Sequence, residues 1–148
     1  MSRFIEIVEV GPRDGLQNEK TILSPEQRVE FIRRLEAAGA RRIETVSFVN
    51  PARVPQMAGI EELVKLIDRQ PGVVYAGLAL NDKGYDRLRE TGLDEVHLAF
   101  ASSTEFNRRN SGATVDESIE SSIRSVQRAH EDGIRGTVTI GTSRRACR

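Results

Sequence analysis

The stretch Val8-Glu9-Val10-Gly11-Pro12-Arg13-Asp14-Gly15-Leu16-Gln17-Asn18-Glu19 decides how this chain is read. An apolar run of strand length, Phe4 to Val10, ends there in a Gly-Pro turn. The turn presents an arginine and an aspartate side by side. The first is a permanent positive charge, the second a hard oxygen ligand. A strand that closes on such a pair has the makings of the floor of a metal-assisted site.

Outward from this stretch the pattern alternates strand and helix. Ser24-Pro25-Glu26-Gln27 opens a helix: Ser24 can cap it, Pro25 suits its first position and Gln27 can reach back. Val29, Ile32 and Leu35 give that helix an inner face, and Gly39 stops it. Arg42 to Val46 is a second strand. Ile60, Leu63, Val64 and Ile67 follow helical spacing, and Pro71-Gly72 ends that helix. Val73 to Leu80 reads as a third strand, Asp82 to Thr91 as a helix closed by Gly92, and Glu95 to Phe100 as a fourth strand. Thr114-Val115-Asp116-Glu117 is a second capping box. The helix behind it, ending at Gly133, carries Val115, Ile119, Ile123 and Val126 as its expected inner face. Gly136 to Gly141 is the fifth strand.

Strands alternating with helices in this way imply parallel pairing with right-handed crossovers. An open doubly wound sheet and the first part of an eight-fold barrel both fit. The phosphate-binding Gly-x-Gly-x-x-Gly fingerprint is missing after the first strand, which weakens a nucleotide-binding fold. Polar residues gather instead at strand ends: Arg13, Asp14 and Gln17, then Glu44 and Ser47, then Asn81 and Asp82, then Ser102 and Ser103. Barrel enzymes place their chemistry at such ends, and a complete barrel needs about 250 residues. The fold expected is therefore α/β, a partial TIM (β/α)8 barrel of about four βα units plus a fifth strand. Residues 1–142 belong to it, and 143–148 form an aberrant or disordered tail.

Composition narrows the partners. The 22 basic and 22 acidic residues cancel, which gives no support to nucleic-acid binding. The arginines read mostly as solvated charge on helix faces. Cys147 is the one cysteine, so an internal disulfide is excluded. With no signal-peptide pattern, the expected location is cytoplasmic. No apolar run approaches the ~18 residues of a membrane span. His97 reads as a strand residue of the core, His130 as a solvated helix residue, and Met57 as packing under the loop after the second strand.

Four stretches resemble the amino-terminal part of the 3-hydroxy-3-methylglutaryl-CoA lyase family, metal-dependent barrel lyases related to Claisen-type synthases. They are VEVGPRDGLQNEK from Val8, IETVSFVNPARVPQMA from Ile43, YAGLALNDKGY from Tyr75 and ASSTEFNRRN from Ala101. The Arg-Asp-Gly-x-Gln core is shared with isopropylmalate, homocitrate and citramalate synthases. The Ser47 to Met57 segment is specific to the lyase branch.

The resemblance implies a retro-Claisen cleavage of 3-hydroxy-3-methylglutaryl-CoA to acetyl-CoA and acetoacetate, in leucine or ketone-body metabolism. It makes Arg13 the catalytic residue facing the thioester oxygen and Asp14 a ligand of Mg²⁺ or Mn²⁺. It places Gln17, Glu44, Ser47 and Asn110 at the acyl-CoA substrate, Asn110 on a loop. A related condensing synthase or a non-catalytic fragment are the alternatives. The family also uses a His-x-His pair, a later Asn and a cysteine on a glycine-rich loop, none of which occurs in this chain. The metal site is therefore expected to be incomplete here and the chain inactive alone. Where the family continues with Gly-Cys-Pro, this chain reads Ser143-Arg144-Arg145-Ala146-Cys147-Arg148, which suggests a truncated reading frame. Exposed strand edges make an unstable or self-associating product, or a half-barrel homo-oligomer, the expectation.

Overall fold

A computed structural model describes residues 5–141. The tail from 143, with Cys147, and the start of the first strand at Phe4 lie outside the described residues. The chain forms two compact units, one up to Gly77 and one from Leu78.

In the first unit, helix α1 (Pro25–Ala37) starts at the anticipated capping box: the Gln27 amide donates to Ser24 Oγ and the Ser24 amide to Gln27 Oε1. Strand β1 (Arg42–Ser47) is buried at every position. A continuous buried run is what a parallel strand covered on both faces requires. Helix α2 (Ile60–Leu66) follows, and β2 (Val74–Ala79) leads out of the unit. Thr45 Oγ1 donates to the Ala76 carbonyl at 3.0 Å, and the Val74 amide to that of Arg41 at 2.9 Å, tying the two strands. Ile32, Ile43, Val46, Met57, Ile60 and Leu63 fill the core.

The strand expected over residues 4–10 is, among the described residues, a single parallel bridge between Glu9 and Ile43. Two main-chain hydrogen bonds make it, Glu9 N to Arg42 O and Glu44 N to Glu9 O, each 2.8 Å. Upstream, Ile5 and Ile7 are 80% and 79% exposed, so no apolar burial rewards further pairing.

The arginines are not all solvated. Arg28 of α1 is 1% exposed and donates to the Ala58 carbonyl at 3.2 Å and to Met57 Sδ at 3.6 Å, while its Nε finds no partner. Burial pulls its pKa down to about 10. It fastens the segment after β1 to α1.

In the second unit, helix α3 (Asp82–Arg89) is capped by Asn81, whose Oδ1 accepts from the Gly84 amide at 2.9 Å. Strand β3 (Glu95–Ala101) pairs in parallel with β4 (Arg135–Gly141), Glu95 opposite Arg135 and Ala101 opposite Gly141. Between them lie α4 (Thr104–Ser111) and α5 (Val115–Glu131). The capping box of α5 forms as anticipated from Thr114 and Glu117.

The buried stripe of α5 is not the one its apolar residues suggest. Ser118, Ser125 and Ala129 face inward, while Ile119 and Ile123 stay 37% and 52% exposed. Ile119 follows Ser118 by one residue, roughly 100° round the helix. Hydrogen bonds fix the rotation: Asp82 Oδ1 accepts from Ser121 and Ser125, each at 3.2 Å. Asn107, 1% exposed, joins in by donating to Ser118 Oγ at 2.7 Å and accepting from the Ala101 amide at 3.0 Å. A buried amide that meets its hydrogen-bonding needs so fully specifies one arrangement of the elements around it.

Each unit holds one of the chain's two tyrosines, both buried. Tyr75 donates its hydroxyl proton to Glu36 at 2.8 Å, and Tyr85 to Asp132 at 2.6 Å. Burial, then the neighbouring carboxylate, pushes Tyr75 up to about 12 and Tyr85 upward as well. A raised folded pKa means that the folded state keeps a proton that the unfolded chain loses near pH ~10. The contribution is complete below that pH and is lost as pH climbs through the folded values. Alkaline titration of phenolate absorbance is therefore expected to show no step near pH ~10 in the native protein, and both tyrosines titrating there in denaturant.

Candidate functional site

The site is built where the chain leaves its bridge to β1. The backbone winds through a π-helical turn, Gly11–Gly15, in which the amides of Arg13, Asp14 and Gly15 converge on the Val10 carbonyl at 3.1, 2.7 and 3.4 Å. The start of the turn is closely packed. A Cβ on Gly11 would stand 2.9 Å from Glu9 Oε1 and 3.4 Å from the Phe31 ring. That same carboxylate oxygen accepts from the Gly11 amide at 2.7 Å.

The turn brings Arg13 back onto β1. Arg13 Nε donates to Glu44 Oε1, and Arg13 NH1 to Asp14 Oδ1 at 2.8 Å. The Glu44 side chain is 4% exposed, Arg13 16% and Asp14 57%. Glu44 therefore anchors the guanidinium from below, and Asp14 holds its outer edge at the surface. Asn18 Nδ2 donates to the Asp14 carbonyl at 2.8 Å, which braces the turn. Gln56 Nε2 donates to the Glu19 carbonyl at 2.9 Å and ties the segment after β1 to the segment after the turn.

Two further expected residues carry buried oxygen atoms without a hydrogen-bond partner: Gln17 Oε1 and Ser47 Oγ. Buried polar atoms are nearly always satisfied, so such exceptions call for a ligand or solvent to complete them. Arg13, Asp14, Gln17, Glu44 and Ser47 all belong to the first unit. Asn110 belongs to the second, and it lies on α4 rather than on a loop. Helix α4 is short and polar and has no apolar stripe to announce it. Its signals are a cap, Ser103 accepting from the Phe106 amide at 3.5 Å, and Gly112 in the left-handed conformation at its end. Asn107, one turn before Asn110, pins the helix to β3 and α5.

His97 is 9% exposed on β3, 3.4 Å from Glu95, and His130 is exposed on α5. Met57 is fully buried, as anticipated. Among the described residues no three His, Cys, Asp or Glu side chains gather where a metal ion could be held. Asp14, Glu44, Gln17 and Ser47 offer oxygens of the kind that hard cations prefer, but both carboxylates are engaged by Arg13, and such ions take about six ligands. These residues do not by themselves make a metal shell. No described helix is long and apolar enough to cross a membrane.

The α/β scaffold that carries these residues matches solved lyase barrels. A structure of an HMG-CoA lyase from Acinetobacter baumannii, in complex with coenzyme A and 3-methylmalate, superposes with a TM-score of 0.87 at 31% identity. It is matched over 95% of this chain and 47% of that one. The family model described as HMGL-like matches residues 4–146, and the chain belongs to that family. A 3-hydroxy-3-isohexenylglutaryl-CoA/hydroxy-methylglutaryl-CoA lyase of Pseudomonas aeruginosa is 41% identical over 141 residues. An (R)-citramalyl-CoA lyase of Chloroflexus aurantiacus is 42% identical over 149 residues. Each comparison takes in 94% of this chain but 47% of the relative, so the chain spans about half the length of the curated relatives it matches.

Removing Arg13 takes an ion-pair partner from the nearly buried Glu44 carboxylate, and losing one partner of a buried pair costs about 3–5 kcal/mol. Arg13→Met is expected to destabilise the chain on that scale. In a denaturant-unfolding cycle with Glu44→Leu, the double variant is expected to recover about 1–3 kcal/mol of the summed losses. Additive losses would show that the pair does not couple.

Proposed function

We propose that this chain forms the amino-terminal part of a carbon–carbon lyase site for the coenzyme A thioester of a tertiary 3-hydroxy acid, with 3-hydroxy-3-methylglutaryl-CoA as substrate. The single observation that carries this reading is the Arg13 guanidinium, held by Glu44 against β1 with Asp14 exposed beside it. In retro-Claisen cleavage the hydroxyl loses its proton and becomes the new ketone. The carbon–carbon bond breaks, and its electrons move onto the thioester as an enolate. Protonation of that enolate gives acetyl-CoA, and the other product is acetoacetate. A fixed guanidinium stabilises the enolate oxygen without being consumed and needs no reorganisation if it is already in place. Glu44 keeps it in place.

Gln17 and Ser47 offer their unsatisfied oxygens to polar groups of the substrate. Asn110 is assigned to the coenzyme A portion on the family resemblance. Asp14 would offer one oxygen to a Mg²⁺ or Mn²⁺ ion, which would polarise the hydroxyl for deprotonation. A second reading, cleavage of citramalyl-CoA, is favoured by the 42% identity to the Chloroflexus enzyme.

The test is acetyl-CoA release from both thioesters with Mg²⁺, by this chain alone and mixed with the carboxyl-terminal half of the Pseudomonas relative. The expected result is no turnover alone and turnover in the mixture, with Arg13→Met lowering the mixture's kcat by about 10²–10³. Turnover that ignores Arg13→Met would overturn the assignment. The thioester with the higher kcat/KM decides between the two substrates.

A further inference from the structure

The segment after β1 is a chain of tight turns. The Ala52 amide donates to Asn50 Oδ1 at 2.9 Å, and the amides of Arg53 and Val54 donate to the Asn50 carbonyl at 2.9 and 3.1 Å. Pro55–Met57 then forms a 3-10 turn, closed by the Met57 amide on the Val54 carbonyl at 3.0 Å. Successive side chains on such a turn diverge by about 120°. Met57 points into the core, 0% exposed, so Gln56 beside it is turned outward. Arg28 fixes the inner end through Met57 Sδ and the Ala58 carbonyl. Gln56 therefore projects from a support with little freedom of its own.

Its Nε2 donates to the Glu19 carbonyl at 2.9 Å, and that partner belongs to a segment with little cover: residues 18–22 are exposed. The Asn18 and Glu19 amides close local bonds to the Gly15 and Leu16 carbonyls at 3.3 and 3.1 Å, and Asn18 Nδ2 reaches back to the Asp14 carbonyl at 2.8 Å. These bonds make residues 14–19 move as one piece. Gln17, whose buried Oε1 has no hydrogen-bond partner, stands in the middle of it. Glu44 holds the near end of the piece through Arg13, and Gln56 holds the far end.

We propose that Gln56 is a positioning residue of the site. By donating to the Glu19 carbonyl it sets where Gln17 stands, so that substrate binding depends on it while the bond-breaking step, served by Arg13, does not. The Val-Pro-Gln-Met sequence then has a division of labour. Proline shapes the turn, methionine roots it in the core, and glutamine braces the segment that carries Gln17. The part concerning substrate rests on the lyase reading; the brace itself does not.

Two substitutions separate the donor from the shape. Gln56→Glu keeps the shape and replaces the donor by an acceptor, whereas Gln56→Lys changes the shape and restores a donor. Amide hydrogen exchange on the full chain is read at Asn18 and Glu19. The Glu44 amide, bonded to the Glu9 carbonyl at 2.8 Å, is the control. Gln56→Glu is expected to speed exchange at residues 18 and 19 by about fivefold and to leave Glu44 unchanged, and Gln56→Lys to return both toward wild type. In the mixture with the carboxyl-terminal half of the Pseudomonas relative, Gln56→Glu is expected to raise KM by about fivefold at unchanged kcat, the opposite split from Arg13→Met, and Gln56→Lys to restore KM. Unaltered exchange in Gln56→Glu, equal acceleration at Glu44, or a Gln56→Lys no better than Gln56→Glu would overturn the brace. A KM indifferent to Gln56→Glu in a mixture that turns over would overturn the positioning role. A wild-type mixture without turnover would overturn the lyase reading, while the expected exchange would still support the brace.

Discussion

The ion pair between Arg13 and Glu44 is the constraint on which the site depends. It joins two pieces of chain that are distant in sequence, the π-helical turn and β1. A guanidinium on a mobile turn would lose its orientation each time the turn opened. Held by a carboxylate that is itself 4% exposed, it points in one direction. The convergence of three amides on the Val10 carbonyl and the closeness of Gly11 to Phe31 serve the same end. They make the turn rigid before any ligand arrives, which is how a binding site avoids an ordering cost.

The two units solve their packing differently. The first relies on apolar burial, with β1 covered throughout and Ile32, Ile43 and Leu63 at its centre. The second adds a polar framework: Asp82 with Ser121 and Ser125, Asn107 with Ser118, Tyr85 with Asp132, and the Arg128 guanidinium over the Tyr85 ring at 4.8 Å. Polar frameworks choose one arrangement among several of similar burial. Here the choice turned the serine stripe of α5 inward and left its isoleucines outside.

This explains what could be read from the residues. Both capping boxes, the stops of α1 and α5 before Gly39 and Gly133, and the runs of β1, β2, β3 and β4 were legible because they depend on neighbours in sequence. Helix α2, in contrast, ends at Leu66, short of the Pro71-Gly72 expected to close it. The Arg13-Asp14 corner was legible because a Gly-Pro turn closes an apolar run. The inward face of α5 was not, since periodicity locates an apolar stripe and not the hydrogen bonds that outvote it. Arg28 was hidden for a related reason: an arginine looks solvated until a loop is laid over it. Helix α4 escaped notice because eight mostly polar residues carry no stripe. The bridge at Glu9 fell short of a strand because the cover over Ile5 and Ile7 is a tertiary matter.

Arg28 carries one more consequence. A charge withdrawn from water with no carboxylate paired to it among the described residues is a thermodynamic liability that the rest of the unit must outweigh. What the fold receives in exchange is a tether, since the guanidinium grips the carbonyl of Ala58 and the sulfur of Met57. An uncharged side chain of similar bulk at this position would relieve the liability and cut the tether together. Heat resistance and order in the segment bearing the lyase-type signature are thus opposed at one residue, and a search for a hardier protein would drift toward a looser one.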